Sequence, residues 1–146
     1  MPVLAPRAHI SHPVTTRRIG VLSLRVDEFS PAVAAGHRVV DIRDQRERDT
    51  HGVIAGALAI DAAIVVDRLV PDTAESLRGI TADTRWLLVG ADGHDAEWLT
   101  WHLHARGVPG ARFLLGGHRA LRSTRDLGHR PLSASQRRDL AVISAH

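Results

Sequence analysis

The stretch WLLVGADGHDA, residues 86–96, decides the fold because it joins a short apolar run to a glycine-containing loop and the start of a helix. Four consecutive apolar residues without polar alternation are typical of a strand that is covered on both faces. A helix is predicted over residues 95–106, where Ala96, Leu99 and Leu103 recur at three- and four-residue spacings and Gly107 ends the pattern. A buried strand followed by a helix indicates an α/β unit.

Four more short apolar runs resemble the strand at 86–89, and they lie at residues 19–24, 38–42, 57–60 and 112–115. A second helix is predicted over residues 28–35. Between residues 61 and 69, β-branched side chains favour a strand whereas Asp61 favours a helix N-cap, and we expect a helix there. The pattern predicts a three-layer α/β domain, with a five-stranded parallel sheet and helices on both faces.

The two ends of the chain depart from this pattern. Residues 1–18 contain three Pro, two His and the Arg17-Arg18 pair without sustained periodicity, and we predict a flexible N-terminal arm. Residues 124–146 are predicted to be a C-terminal extension, in which Ser133 and Gln136 form a capping box for a short helix. One domain is therefore expected over residues 19–123.

Composition narrows the range of functions. The chain has 146 residues, of which 44% are hydrophobic, enough for one domain with a real core. Its 19 basic residues, all Arg, exceed the 16 acidic ones by only three, and aromatic residues make up 3%, so no specific nucleic-acid binding is expected. Arginines near the two ends would support only nonspecific, salt-sensitive binding: Arg17, Arg18, Arg119, Arg122, Arg125, Arg137 and Arg138.

No apolar stretch is long enough for a membrane span, and the first residues lack a continuous apolar signal-peptide core, so we expect a cytoplasmic protein without a membrane partner. The absence of cysteine has a stronger consequence. It excludes disulfides, thiolate metal sites, iron–sulfur clusters and every mechanism with a cysteine nucleophile on this chain.

Several motifs, taken in order, resemble the rhodanese-like domain of sulfurtransferases. They are Val39-Val40-Asp41-Ile42-Arg43, Glu47, Gly52-Val53-Ile54-Ala55-Gly56-Ala57, the loop at 90–96, and Gly116-Gly117-His118-Arg119-Ala120. The resemblance covers residues 19–123 and implies the parallel α/β sheet already expected. It also implies an active-site loop whose Cys stores sulfur as a persulfide, stabilised by backbone N–H groups at a helix N-terminus.

This sequence departs from the family in that loop. Aligning the family's C-x-x-G-x-R pattern on Gly93 places Gly90 at the Cys position and Asp95 at the Arg position. Val53 also stands where His is common in the family, and Leu121 replaces a frequent Trp. No other residue of the loop forms a persulfide, so sulfur transfer by this polypeptide alone is excluded.

The leading hypothesis is a non-catalytic binding or regulatory module related to sulfurtransferases. Its ligand-binding loop would be Gly90, Ala91, Asp92, Gly93, His94, Asp95 and Ala96, with Asp41, Arg43, Gly116, Gly117 and His118 as structural residues around it. We expect no cofactor, and either a protein partner or a small ligand. A partner that supplies the missing thiol is a further alternative.

The rival hypothesis is an enzyme of different chemistry, in which Asp92, His94 and Asp95 perform acid–base or metal-assisted hydrolysis. We prefer a capping role for the two aspartates at the start of the helix. A metal site with His94, His118 and two Asp as ligands is a further alternative, which we rank below both of these interpretations.

Trp98 and Trp101 lie on the helix that follows the loop, on either side of Leu99. We expect them to pack between helix and sheet, as large apolar side chains commonly do. The alternative is an exposed anchor for a protein partner.

Overall fold

The five predicted strands are all present in the computed structural model, which describes residues 22–128. They are β1 (Ser23–Leu24), β2 (Arg38–Asp41), β3 (Leu58–Ala59), β4 (Trp86–Val89) and β5 (Arg112–Leu114). All pair in parallel, in the order β1-β5-β4-β2-β3. The prediction of an α/β fold with a five-stranded parallel sheet is confirmed.

Five helices accompany the sheet in the described part of the chain: α1 (Val26–Ala34), α2 (Gln45–His51), α3 (Val65–Leu69), α4 (His94–Ala105) and α5 (Gly117–Gly128). Helices α1 and α4 correspond to the predictions over residues 28–35 and 95–106. The segment at 61–69 begins as a turn, in which the Asp61 carboxylate accepts the Ala63 N–H at 2.8 Å, and becomes helical only at Val65.

Two apolar clusters flank the sheet and make the three layers. Along β4 the side chains alternate between them, since Trp86 and Leu88 belong to one cluster and Leu87 and Val89 to the other. Helices α3 and α4 cover the first cluster, and α1 and α5 cover the second. All four residues of β4 are fully buried, which explains why this strand shows no polar alternation in the sequence.

The carboxyl ends of β2 and β4 are level with each other, because Asp41 pairs with Val89 in the register of the sheet. The residues that follow these strands, Arg43 and Gly90, therefore lie at the same edge. In open parallel sheets, ligands usually bind at the carboxyl ends of the strands, where the loops lead into the helices.

The N-terminal arm expected at residues 1–18 and the helix expected from Ser133 lie outside the described residues. Helix α5 runs through the expected domain boundary at residue 123 and continues to Gly128. No helix within residues 22–128 has the length and apolarity needed to cross a bilayer.

Candidate functional site

Gly90 occupies the first position of the loop after β4 and is buried. A Cβ atom at this position would make ordinary contacts, 3.6 Å from Cδ1 of Ile42 and 3.7 Å from the backbone nitrogen of Ala96. A side chain here would thus lie against the first turn of α4, where helix N–H groups favour negative charge. The position therefore has room for a small side chain, and Gly90 leaves it without one.

The start of α4 is organised by the polar residues of the loop. Gly93 is the N-cap, with a φ of 99° in the left-handed region, and the Asp92 Oδ1 accepts the backbone N–H of His94 at 3.1 Å. That hydrogen bond lowers the pKa of Asp92. Asp95 lies exposed in the first turn, and its carboxylate accepts no hydrogen bond from the part of the chain that the structure describes, although its charge complements the helix dipole.

The predicted site residues Asp92 and His94 are neighbours in space. The Nδ1 of His94 lies 3.5 Å from Oδ1 of Asp92, and the His94 side chain is 88% exposed. Solvent screens an interaction between groups this exposed. The contact therefore lacks the enclosed surroundings that sharpen acid–base chemistry.

The loop is held from the other side by the start of α5. The backbone N–H groups of His118 and Arg119 donate to the carbonyls of Gly90 and Ala91 at 2.8 and 3.0 Å. Gly117 makes this approach possible, since a Cβ at that position would lie 2.6 Å from the carbonyl oxygen of Gly90. The glycine pair noted in the sequence is therefore where α5 docks onto the loop.

A buried ion pair supports the same region. The Arg43 guanidinium donates to the Asp41 carboxylate through Nε at 2.9 Å and Nη2 at 2.8 Å, and both side chains are at most 2% exposed. Nη2 also donates to the Gly52 carbonyl at 2.8 Å, and Nη1 lies 3.0 Å from Nδ1 of His118. A guanidinium can only donate, so Nδ1 of His118 is the acceptor of this hydrogen bond.

These positions keep His94 and His118 in different surroundings. His118 is buried against Arg43, whereas His94 is open to solvent. Among the side chains that the structure describes, those of residues 22–124, no group of three or more His, Asp or Glu could hold a metal ion. The arrangement of two His and two Asp is therefore not assembled there.

Trp98 and Trp101 contradict the expected packing between helix and sheet. Trp98 is 65% exposed and Trp101 is 41% exposed. The buried face of α4 is formed instead by Ala96, Thr100 and Leu103, which fill the space above the sheet with smaller side chains. Because four-residue spacing already supplied a complete apolar face, the two tryptophans lie on the outside of the helix.

The exposed tryptophans form one surface with two polar neighbours. An open recess of about 530 Å³, called here the tryptophan recess, is lined by His94, Glu97, Trp98 and Trp101. The Trp98 ring also packs edge to face against His102, with ring centroids 4.7 Å apart. One end of the recess is thus the loop itself, through His94.

A second and smaller pocket, of about 70 Å³, adjoins the loop at Ala91. We call it the arginine pocket, because three Arg line it: Arg43, which lies just after β2, and Arg119 and Arg122 on α5. Its lining also includes Glu47, His51 and His118. The sequence motifs around Arg43, Glu47 and Arg119 pointed to this region. His51 carried no sequence signal, since α2 lacks an apolar periodicity.

Comparisons with known proteins bear on the fold. No protein-family model matches the chain, and no curated protein matches it. Solved structures do: a Rhodopseudomonas palustris protein of unknown function, described as a possible tyrosine phosphatase, matches with a TM-score of 0.64 and 20% identity over 91% of this chain and 99% of that one.

A human single-domain sulfurtransferase matches with a TM-score of 0.59 and 21% identity, over 68% of this chain and 94% of its own. A rhodanese homologue from Thermus thermophilus matches with a TM-score of 0.52 and 24% identity, over 68% and 99%. At these identities the likeness establishes the fold. The rhodanese-like fold predicted from the motifs is confirmed at that level, in a chain that has no Cys.

Proposed function

We propose that this chain, which has the fold of the rhodanese-like domains, is a non-catalytic binding module that recognises a partner protein through the tryptophan recess. The observation that carries the proposal is the exposure of Trp98 and Trp101 on the helix that begins at the loop. Where the family would hold a reactive sulfur, Gly90 offers none. The exposed side chains on the outside of α4 are suited to recognition instead.

Exposed tryptophans at a recess are suited to protein binding. Trp buries the largest area of any side chain and is enriched among the residues that dominate binding energy. Two such rings, one turn apart on α4, offer an anchor with few rotatable bonds. A partner that covers both would remove from water an apolar area that folding leaves exposed.

Charge favours a basic partner segment. Glu97 lines the tryptophan recess, and Asp92 and Asp95 are exposed at the start of the same helix. Cationic side chains bind to indole faces and to nearby carboxylates, and complementary charge steers the encounter. We therefore propose a partner segment that combines Arg or Lys with apolar residues.

The second candidate function is acid–base or metal-assisted hydrolysis by Asp92, His94 and Asp95, and the 3.5 Å contact between Asp92 and His94 favours it. It ranks second because the three side chains are exposed, with no enclosed cavity around them. A metal analysis separates the candidates. Zinc, nickel or iron that survives dialysis at one ion per chain, and is lost in His94→Ala, would favour the hydrolase over the binding module.

The binding proposal is tested by selecting displayed random peptides on the purified chain. We expect the wild type to enrich basic, apolar peptides, and the double variant Trp98→Ala/Trp101→Ala to lose at least about tenfold in affinity for them, as anchor residues do. The matched control is Val33→Ala/Ile64→Ala, which shortens two other exposed apolar side chains, 42% and 50% exposed. Enrichment of the same peptides by the tryptophan variant would overturn the proposal.

The non-catalytic part is tested by an assay of thiosulfate-to-cyanide sulfur transfer. We expect the rate with the purified chain to equal the rate without protein, because no thiol is present to carry sulfur. Turnover that rises in proportion to the chain would contradict it. A return of turnover only with a co-purified protein would identify a partner that supplies the thiol.

A further inference from the structure

The arginine pocket is lined by two guanidinium groups that have no hydrogen-bond partner among the side chains described for residues 22–124. Arg119 and Arg122 are three residues apart on α5, so their side chains leave the same face of the helix. Among the side chains that the structure describes, neither forms a hydrogen bond or an ion pair. Other arginines near the site are committed, as Arg48 is to the Arg43 carbonyl and to Gln45.

The pocket also contains a third guanidinium group, that of Arg43. Arg43 lines the same pocket and is 2% exposed. A guanidinium has five N–H groups, and those of Arg43 go to the Asp41 carboxylate twice, to the Gly52 carbonyl and to Nδ1 of His118, which leaves one on Nη1. A buried donor without an acceptor is costly, so this remaining N–H favours an acceptor in the pocket.

The charges of the pocket sum to a positive value. Asp41 neutralises Arg43, and within the lining Glu47 offsets one of the two arginines on α5, so the lining keeps one positive charge before either histidine is counted. The exposed Asp92, outside the lining, interacts with Arg119 through its charge. Glu47 is also engaged elsewhere, since its Oε1 accepts the Asp44 backbone N–H at 3.2 Å. An anion is therefore attracted to the pocket.

Size and donor geometry narrow the class of anion. The pocket volume of about 70 Å³ exceeds the roughly 10–15 Å³ that one water requires, and is far below that of a drug-sized ligand site. Planar guanidinium forks match the oxygens of phosphate-type groups and bind them in pairs. We propose that the arginine pocket binds a tetrahedral oxyanion group through Arg119, Arg122 and the remaining N–H of Arg43.

The proposal goes beyond the tryptophan recess, because the pocket shares none of its lining residues. A free ion and a phosphorylated side chain offer the same chemistry, so the experiment uses inorganic phosphate, thiosulfate and O-phosphoserine as separate probes. Binding of each to the full chain is measured by titration calorimetry at low and high salt. We expect saturable binding of at least one probe that weakens with salt, as charged contacts do.

The variants assign the site. Arg119→Gln/Arg122→Gln is expected to weaken the binding about tenfold or more, since it removes two charge-assisted contacts. The control Arg78→Gln/Arg106→Gln removes two exposed charges elsewhere and is expected to change the affinity less than about twofold. Both double variants keep the buried Arg43, and their melting temperatures check that they are folded.

The outcomes are decisive in both directions. Tighter binding of O-phosphoserine than of phosphate would support the site and identify a phosphorylated side chain as its source, and the reverse order would support it with a free ion. No saturable binding of any probe by the wild type would overturn the proposal. So would an equal loss of affinity in the two double variants, because the binding would then follow net charge rather than the pocket.

Discussion

Gly90 is the residue on which the non-catalytic part of the proposal depends. Motif order aligns it with the family's Cys, and in the structure it directly follows β4 and lies against the first turn of α4. Asp41 and Arg43, interpreted from the sequence as structural residues around the loop, are joined by two hydrogen bonds between their side chains. The bond from Arg43 to His118 spans 75 residues, so no local pattern could have predicted it.

We predict that Gly90→Cys gives a folded protein that remains a poor sulfurtransferase. The new Cβ meets Ile42 and Ala96 at ordinary contact distances, so the thiol fits. Asp92 and Asp95 nevertheless disfavour the thiolate through their charge. The addition of Asp95→Arg is expected to raise the rate of thiosulfate-to-cyanide transfer, and full activity from the single change would contradict this explanation.

The buried ion pair makes a prediction about stability. Asp41→Ala leaves the Arg43 charge buried without its partner, and we expect it to lower the free energy of unfolding by about 3–5 kcal/mol. Asp27→Ala is the matched control, because it breaks an exposed pair with Arg25 and should leave the stability close to that of the wild type. Urea denaturation measures both, and similar midpoints for the two variants would show that the buried pair is not structural.

At the scale of elements, the strands and the helices with an apolar side could be predicted, and the polar helices could not. Helix α2 contains only polar and charged residues and is defined by the capping box of Asp44 and Glu47. Helix α5 begins at Gly117, and glycine normally signals a turn. The exposed positions of the tryptophans on α4 correspond to the alternative and not to the preferred prediction, because size alone favours burial.

The docking of α5 onto the loop predicts a large effect at Gly117. Gly117→Ala puts a Cβ against the Gly90 carbonyl, whereas Gly79→Ala has open space around it, and both glycines have a positive φ. The comparison therefore isolates the clash from the backbone cost of about 1–2 kcal/mol that the two variants share. We expect Gly117→Ala to lose about 1–3 kcal/mol more in unfolding free energy, and equal losses would show that the docking is loose.

The turn between α1 and β2 predicts a dependence on pH. Burial lowers the pKa of His37, whose Nδ1 donates to the Ala32 carbonyl at 3.2 Å. A lowered pKa means that the unfolded chain takes up the proton first, so this group contributes stability above about pH 6.5 that is lost as the pH falls. His37→Asn keeps a donor and cannot titrate, and we expect its stability to fall less than that of the wild type from neutral to mildly acidic pH.

For the whole molecule, the fold could be predicted because apolar runs, loop positions and motif order all indicated the same parallel sheet. The candidate site could be predicted only in part. Its loop was located, but the tryptophan recess and the arginine pocket depend on which faces of α4 and α5 remain uncovered. The packing of the helices against the sheet determines which faces remain uncovered, and the spacing of residues in the sequence does not.

The most direct test of the binding module uses the three tryptophans as separate probes. Their indole N–H signals in an NMR spectrum of the labelled chain report on Trp98 and Trp101 in the recess, and on the fully buried Trp86 as an internal reference. On titration with a basic, apolar peptide selected on the chain, we predict shifts of the Trp98 and Trp101 signals and a constant Trp86 signal. Saturable binding that leaves the signals of both exposed tryptophans unchanged would contradict the account.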